Sequence, residues 1–221
     1  MANIEEEPIR LANPGCVERR RLPIVGRVAL PEPRPIATSF ILSLAHRRSA
    51  EEFVRIDLAD LATWLYYCSS VQSVHSDDRN RQRRFVPSFG GLHPAHILLG
   101  DPGGKWFTYI SDEHSLGEVA VHIEDGLQIR NRALELFGAP EGTLVALLSD
   151  LDLAANYYEN VSCLILRDAG VLLGHGALVA AALGISFRIL GLSGNAQIVR
   201  ELPFRTVASG LAWIGGRQSA S

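Results

Sequence analysis

Lysine is almost absent from this 221-residue chain: of its 21 basic residues only Lys105 is lysine, and the other 20 are arginine. Chemistry that needs a primary amine side chain therefore has one residue to draw on. Cysteine is also sparse. Cys16, Cys68 and Cys163 are isolated, odd in number and without C-x-x-C spacing, which argues against a disulfide framework or a zinc knuckle and fits a reducing compartment. Long apolar runs are missing too. Val171 to Leu183 is interrupted by Gly174, His175 and Gly176 and falls short of the about 20 residues that cross a bilayer. Glu5, Glu6 and Glu7 stand where a secretory leader carries positive charge, and a net charge of -3 gives no bulk attraction to nucleic acid or anionic membrane. A cytoplasmic protein is expected.

With 47% hydrophobic and 20% charged residues, the chain can bury one sizeable core. Residues 1–37 hold six of the eleven prolines, which fix φ and withhold donors. This segment reads as a Pro-rich arm that docks on a neighbouring surface, ahead of one domain over 38–221. Apolar spacing predicts a helix from Ile36 to Ala45 and a second one capped by Asp57, with Leu58, Leu61, Trp64 and Leu65 on one stripe. Ser69 to Arg84 reads as a polar loop. Ala95–Leu99 and Trp106–Ile110 form a hairpin around Gly100-Asp101-Pro102-Gly103-Gly104. A helix over Gly126–Phe137 stops at Gly138, and Leu144–Leu148 is a strand. Val161–Leu183 reads as a central helix buried on all sides, ended by Gly184. Strands at Ile185–Leu190 and Thr206–Ile214, with a short helix at Ala196–Leu202 between them, complete an α+β fold with a mixed sheet.

Three stretches suit an anion and a flat ligand. Arg47-Arg48-Ser49, at a helix end, offers guanidinium groups and a hydroxyl for phosphate, although such a pair is ordinarily a solvated surface feature. Arg84-Phe85-Val86-Pro87-Ser88-Phe89-Gly90-Gly91-Leu92-His93-Pro94 is a rigid loop whose glycines let the backbone approach a ring, or simply a tight turn. Tyr157, in Asn156-Tyr157-Tyr158, stands before the apolar helix and its Asp168-Ala169-Gly170, where it is a proton donor or a packing group. No His, Cys or carboxylate spacing makes a metal site, His93 and His96 included.

Taken in order, these stretches, with Phe107, Tyr109, His114-Ser115-Leu116 and Ala180-Ala181-Ala182-Leu183-Gly184, resemble the flavin-dependent nitroreductase superfamily. Within it they are similar to the SagB-type dehydrogenases, which include azoline oxidases of peptide natural-product pathways. The resemblance covers about residues 40 to 215 and implies an α+β dimer holding FMN at the subunit interface. Arg47, Arg48 and Ser49 would grip the phosphate, and Pro87, Ser88, Phe89, Gly90 and Gly91 would lie along the isoalloxazine. Tyr157 would be catalytic. The implied activity is dehydrogenation of a peptide-borne heterocycle, with a cyclodehydratase partner; the alternatives are a divergent or non-catalytic subunit of a peptide-modifying complex and a general NAD(P)H-dependent nitro- or quinone reductase. The chain departs from the family at Glu51, where a second basic residue is usual, at Asn156, where azoline oxidases have lysine, and at Gly174-His175 in place of Gln-Asn.

Overall fold

The computed structural model describes residues 7–15, 17–120, 123–139, 141–192, 202 and 204–217. The expected short helix at 196–202 and Cys16 lie outside or at the margin of these residues. In chain order the elements are β1 (Ile9–Arg10), β2 (Ile24–Ala29), α1 (Phe40–His46), α2 (Leu58–Ser69), β3 (Val71–Val74) and β4 (Gln82–Arg84). After a 3-10 turn at Phe89–Gly91 come β5 (Ala95–Gly100), β6 (Trp106–Ile110), β7 (Ser115–Val119), α3 (Ile123–Phe137) and β8 (Thr143–Asp150). The chain closes with α4 (Leu151–Ala155), β9 (Tyr158–Glu159), α5 (Ser162–Leu183), β10 (Ser186–Leu190) and β11 (Thr206–Gly215).

Seven strands form one sheet in the order β10-β11-β8-β5-β6-β7-β2. Every pairing is antiparallel, so the mixed sheet expected from the sequence is corrected to a wholly antiparallel one. The reason lies in the connections, because β5 to β6 and β6 to β7 are hairpins too short for the crossover that parallel neighbours require. Strand residues alternate between two cores. Ile97, Leu99, Val145, Leu147 and Ile214 face α2 and α5, where Trp64, Leu65 and Leu173 meet them. Leu98, Leu144, Ala146, Leu148 and Trp213 face the opposite way and are covered by Ile129 and Ala133 of α3.

Local signals account for several boundaries. Asp57 caps α2, its carboxylate accepting from the Asp60 amide at 2.7 Å, and Leu61, Trp64 and Leu65 are buried as their spacing implies, although Leu58 is exposed. Gly184 ends α5 at φ 70°, a left-handed position that costs glycine nothing. α5 spans the 22 residues Ser162–Leu183, where a helix over 161–183 is expected, and over that length it is by those measures alone long and apolar enough to cross a membrane, which the stretch Val171–Leu183 by itself is not. Its buried face, with Ile165, Ala169, Leu173, Val179 and Ala180, packs on the sheet and α2, the position of a core helix. The burial is one-sided, because Leu166 and Val171 stay exposed.

Two further expectations are corrected. The stretch 69–84 is not a loop throughout, since β3 and β4 pair from Val71↔Arg84 to Val74↔Gln82. The Pro-rich arm docks on its own chain. β1 pairs with β9, β2 forms the edge strand beside β7, and Leu22 is buried in the core under α3. A boundary at residue 37 therefore cuts across the sheet. Pro23 and Pro31 flank β2, and an edge position tolerates such neighbours because only one side of the strand needs its amides.

Candidate functional site

The helix α1 delivers the first stretch. Ser39 caps it by accepting from the Leu42 amide, and Arg47 closes it by donating its own amide to the Ser43 carbonyl at 3.0 Å. Helix geometry ends there, and Arg47, Arg48 and Ser49 emerge exposed at the rim of a cleft of about 860 Å³. The Ala50 amide donates to the Phe187 carbonyl at 3.0 Å and ties the stretch to the outer edge of β10. Ala177, Ala181 and Gly184 of α5 line the same cleft, so a ligand meets small side chains there. Glu51 and Glu52 also line it and oppose the two arginines as an anion site.

The second stretch is held elsewhere. Gly90 and Gly91 sit at φ 57° and 69°, and a Cβ on Gly90 would come within 2.9 Å of the Tyr158 hydroxyl oxygen. Asp168 of α5 organises the loop, accepting from Ser88 Oγ at 3.1 Å and from the Phe89 amide at 3.2 Å. Ser88 Oγ in turn accepts from the His93 amide at 2.8 Å. The Gly91 and Leu92 amides are spent inside the turn, on Ser88 and Phe89 carbonyls. The loop thus satisfies most of its own backbone, as a tight turn does. Burial pushes the Asp168 carboxyl up to about 6, against the two hydrogen bonds and the Arg84 charge that favour its ionised form.

These two stretches do not meet within one chain. Arg47–Ser49 lie beside Ala177–Gly184 of α5, whereas Pro87–Gly91 are anchored at Asp168, nine to sixteen positions earlier. At 1.5 Å per residue that is about 13–24 Å along the helix.

Tyr157, the third candidate, is buried. Its hydroxyl donates to the Asp78 carboxylate, 2.8 Å from either oxygen, and accepts from Asn80 Nδ2 at 3.2 Å. Burial foremost, and then the Asp78 charge, raises its pKa and keeps the phenol protonated. Asn156 is buried as well, and its side-chain amide donates to the Gly15 carbonyl at 3.1 Å, a tether for the N-terminal segment. Lys105 pairs with Glu118 at 2.8 Å on the far hairpin. His175 hydrogen-bonds the Tyr67 carbonyl at 2.9 Å and holds α5 to α2. Among the described residues no group of three metal-ligating side chains occurs.

Sequence reasoning missed Asp78 and Asn80, which sit in the supposed loop with no motif around them. It also missed Arg19, and it gave no role to Arg84 at the head of the second stretch, because their place beside His93 and His96 depends on contacts across the fold. The run Arg19-Arg20-Arg21 was the one available signal for the former.

No family model matches the chain, and no curated protein matches it. Solved structures do. A protein described as a nitroreductase from Ralstonia eutropha JMP134 superimposes with a TM-score of 0.64 at 18% identity, over 97% of this chain and 99% of that one. The Escherichia coli microcin synthetase McbBCD complex, solved with truncated pro-MccB17 bound, gives 0.58 at 16% identity over 79% and 70%. A protein described as a nitroreductase from Anabaena variabilis ATCC 29413 gives 0.55 at 19% identity over 70% of this chain and 34% of that one. At these identities the likeness is one of fold, and the chain has the nitroreductase fold.

Proposed function

We propose that two copies of this chain hold FMN between them and use it to oxidise or reduce an organic substrate, in first place by dehydrogenating a heterocycle in a peptide. The observation that carries this reading is the cleft at the end of α1, where two guanidinium groups and a hydroxyl face small residues of α5. That donor set fits a phosphate, and the alanine and glycine positions fit the approach of a flat body. FMN, when bound, supplies the hydride transfer. Arg47, Arg48 and Ser49 hold the phosphate, with Glu51 reducing the affinity. The separation of Pro87–Gly91 from that cleft supports a two-chain site, in which Pro87, Ser88, Phe89, Gly90 and Gly91 of one copy face the flavin held by the other. Tyr157 keeps its proton at neutral pH with its hydroxyl held by Asp78 and Asn80, and as the acid of the site it gives that proton up and takes another from solvent, since ionised Asp78 has none to return.

The peptide-linked part of the reading is supported by the fold shared with the microcin synthetase complex, and a peptide-modifying partner enzyme belongs to the same proposal. A second reading, a divergent subunit that keeps the fold without the chemistry, draws on Asn156. Its amide is committed to Gly15, and no lysine stands near Tyr157.

Purified protein is expected to show flavin absorbance, or to gain it on adding FMN, at one flavin per chain. Arg47→Ala is expected to weaken FMN binding at least tenfold. Tyr157→Phe should retain the flavin and lose turnover with a thiazoline- or oxazoline-containing peptide. Protein that neither carries nor takes up FMN refutes the proposal. Full turnover by a complex containing Arg47→Ala favours the subunit reading, and rapid bleaching of the flavin by NAD(P)H favours a general reductase.

A further inference from the structure

A second cavity, of about 680 Å³, opens where the sheet divides. β5 keeps its register with β8 from Ala95 to Gly100 but pairs with β6 only from Leu98 onward. Tyr109 and Ile110 of β6 remain paired with β7. The cavity enters this fork, with Ala95, Ile97 and Tyr109 on its walls.

Its positive charge is only partly offset: Glu18 and Asp112 also line the cavity, Asp112 paired with Arg21, and Asp150 and Asp168 act on Arg19 and Arg84 from beyond contact. Arg84 donates to Ser69 Oγ at 2.7 Å and to Gln82 Oε1 at 2.7 and 3.1 Å. Arg19 donates to the carbonyls of Asn80 at 2.7 Å, His93 at 3.0 Å and Leu92. All of these acceptors are neutral, and among the described residues no carboxylate lies within ion-pairing distance of either guanidinium. Two polar atoms lack any partner: Arg19 Nε and the buried Thr108 Oγ1, both on residues lining the cavity. Arg79, exposed at the mouth, likewise has no carboxylate partner among the described residues, whereas Arg20, Arg21 and Arg27 are paired with Asp152, Asp112 and Glu113. The electrostatic consequences are consistent with this. Burial lowers Arg84 to about 9 and Arg19 to about 10, and burial together with the nearby guanidinium charge lowers His93 to about 3 and His96 to about 4. Buried cations held only by neutral acceptors are costly, and a bound anion removes that cost.

We infer that this cavity binds a small organic polyanion through its carboxylate or phosphate groups, with Arg19 and Arg84 at its base, Arg79 at its mouth and the Thr108 hydroxyl as a further donor. The volume is that of a small-molecule site, and arginine suits both oxyanion types through paired N–H donors. This site is separate from the cleft at Arg47, with which it shares no lining residue.

The test is calorimetric titration of the purified full chain with pyrophosphate and, in a second arm, with citrate, which separates phosphate from carboxylate recognition. Wild-type protein is expected to bind at least one probe. Arg84→Gln should abolish that binding, the exposed Arg79→Gln should weaken it about tenfold, and Arg47→Ala should leave it intact. Arg79→Gln keeps the test alive if Arg84→Gln does not fold. The inference is overturned if neither probe binds wild-type protein. It is also overturned if binding is unchanged in both the Arg84 and Arg79 variants, or if Arg47→Ala removes it, since the ion then occupies the other cleft. FMN uptake, read separately by absorbance, decides the flavin reading whichever way these titrations fall.

Discussion

Asp168 shows at the scale of one residue how the loop and the long helix are coupled. Its carboxyl, nine-tenths buried, titrates near 6 rather than 3.8, so between those values the folded protein holds a proton that the unfolded chain releases. This contribution to stability is complete below about pH 4 and is lost as pH rises through 6. Asparagine at 168 can still accept from the Phe89 amide, and it has no charge to bury. Asp168→Asn is therefore expected to gain on wild type as pH is raised from 4.5 to 7.5, by about 2 kcal/mol at 1.36 kcal/mol per pKa unit. Denaturant midpoints of the two proteins across that range measure it, and a constant difference would refute the assignment. The sequence marked Asp168 as part of a motif within its long apolar helix. It did not show that the acid ties off the Phe89 amide and the Ser88 hydroxyl of a loop about eighty residues earlier, because that depends on the packing of α5 against residues 88–89.

At the scale of elements, α5 contains glycines with opposite roles. The Gly176 carbonyl accepts from Trp64 Nε1 at 2.9 Å, and a Cβ there would stand 2.9 Å from Trp64 Cζ2. Gly176→Ala must displace a buried indole and is expected to cost about 1–3 kcal/mol. Gly170 has open space around its would-be Cβ, so Gly170→Ala is expected to gain about 0.5–1 kcal/mol from helix propensity. Thermal melts of the two variants should move in opposite directions. What was legible in the sequence at this scale has local causes: the Asp57 cap, the Gly184 stop, and the hairpin around Pro102 and Gly103. What was not legible depends on partners distant in the chain. β3 and β4 are polar, exposed and short, with no alternation to reveal them, and β2 becomes a strand because the edge of β7 accepts it. The same division holds for the site. Arg47–Ser49 and Pro87–Gly91 were recognisable as motifs, whereas their separation along α5 and the cavity around Arg84 follow from topology.

The whole molecule leaves a large apolar surface uncovered. Phe40 and Ile41 of α1 are 66% and 70% exposed, and Leu166 and Val171 of α5 are also open. The apolar spacing from Ile36 to Ala45 predicts a helix, and of the helix that forms, α1, only Ser43 is buried. A two-chain flavin site requires such a face to be covered by a second copy. Light scattering is expected to give the mass of two 24.1 kDa chains. Phe40→Glu combined with Ile41→Glu should give a monomer that no longer retains FMN. A double variant that remains dimeric would show that the contact lies elsewhere.

The edge strand β2 also bears on how the protein is made. It leaves the ribosome early, but its partner β7 follows about 90 residues later, and β1 waits about 150 residues for β9. At roughly 5–20 residues per second, the Ile24–Ala29 strand spends on the order of 5–20 s without its neighbour. Such distant pairings close late and slow folding. During that interval the prolines at 23 and 31 limit the stretch that could pair with another nascent chain, so they guard synthesis as well as frame the finished edge.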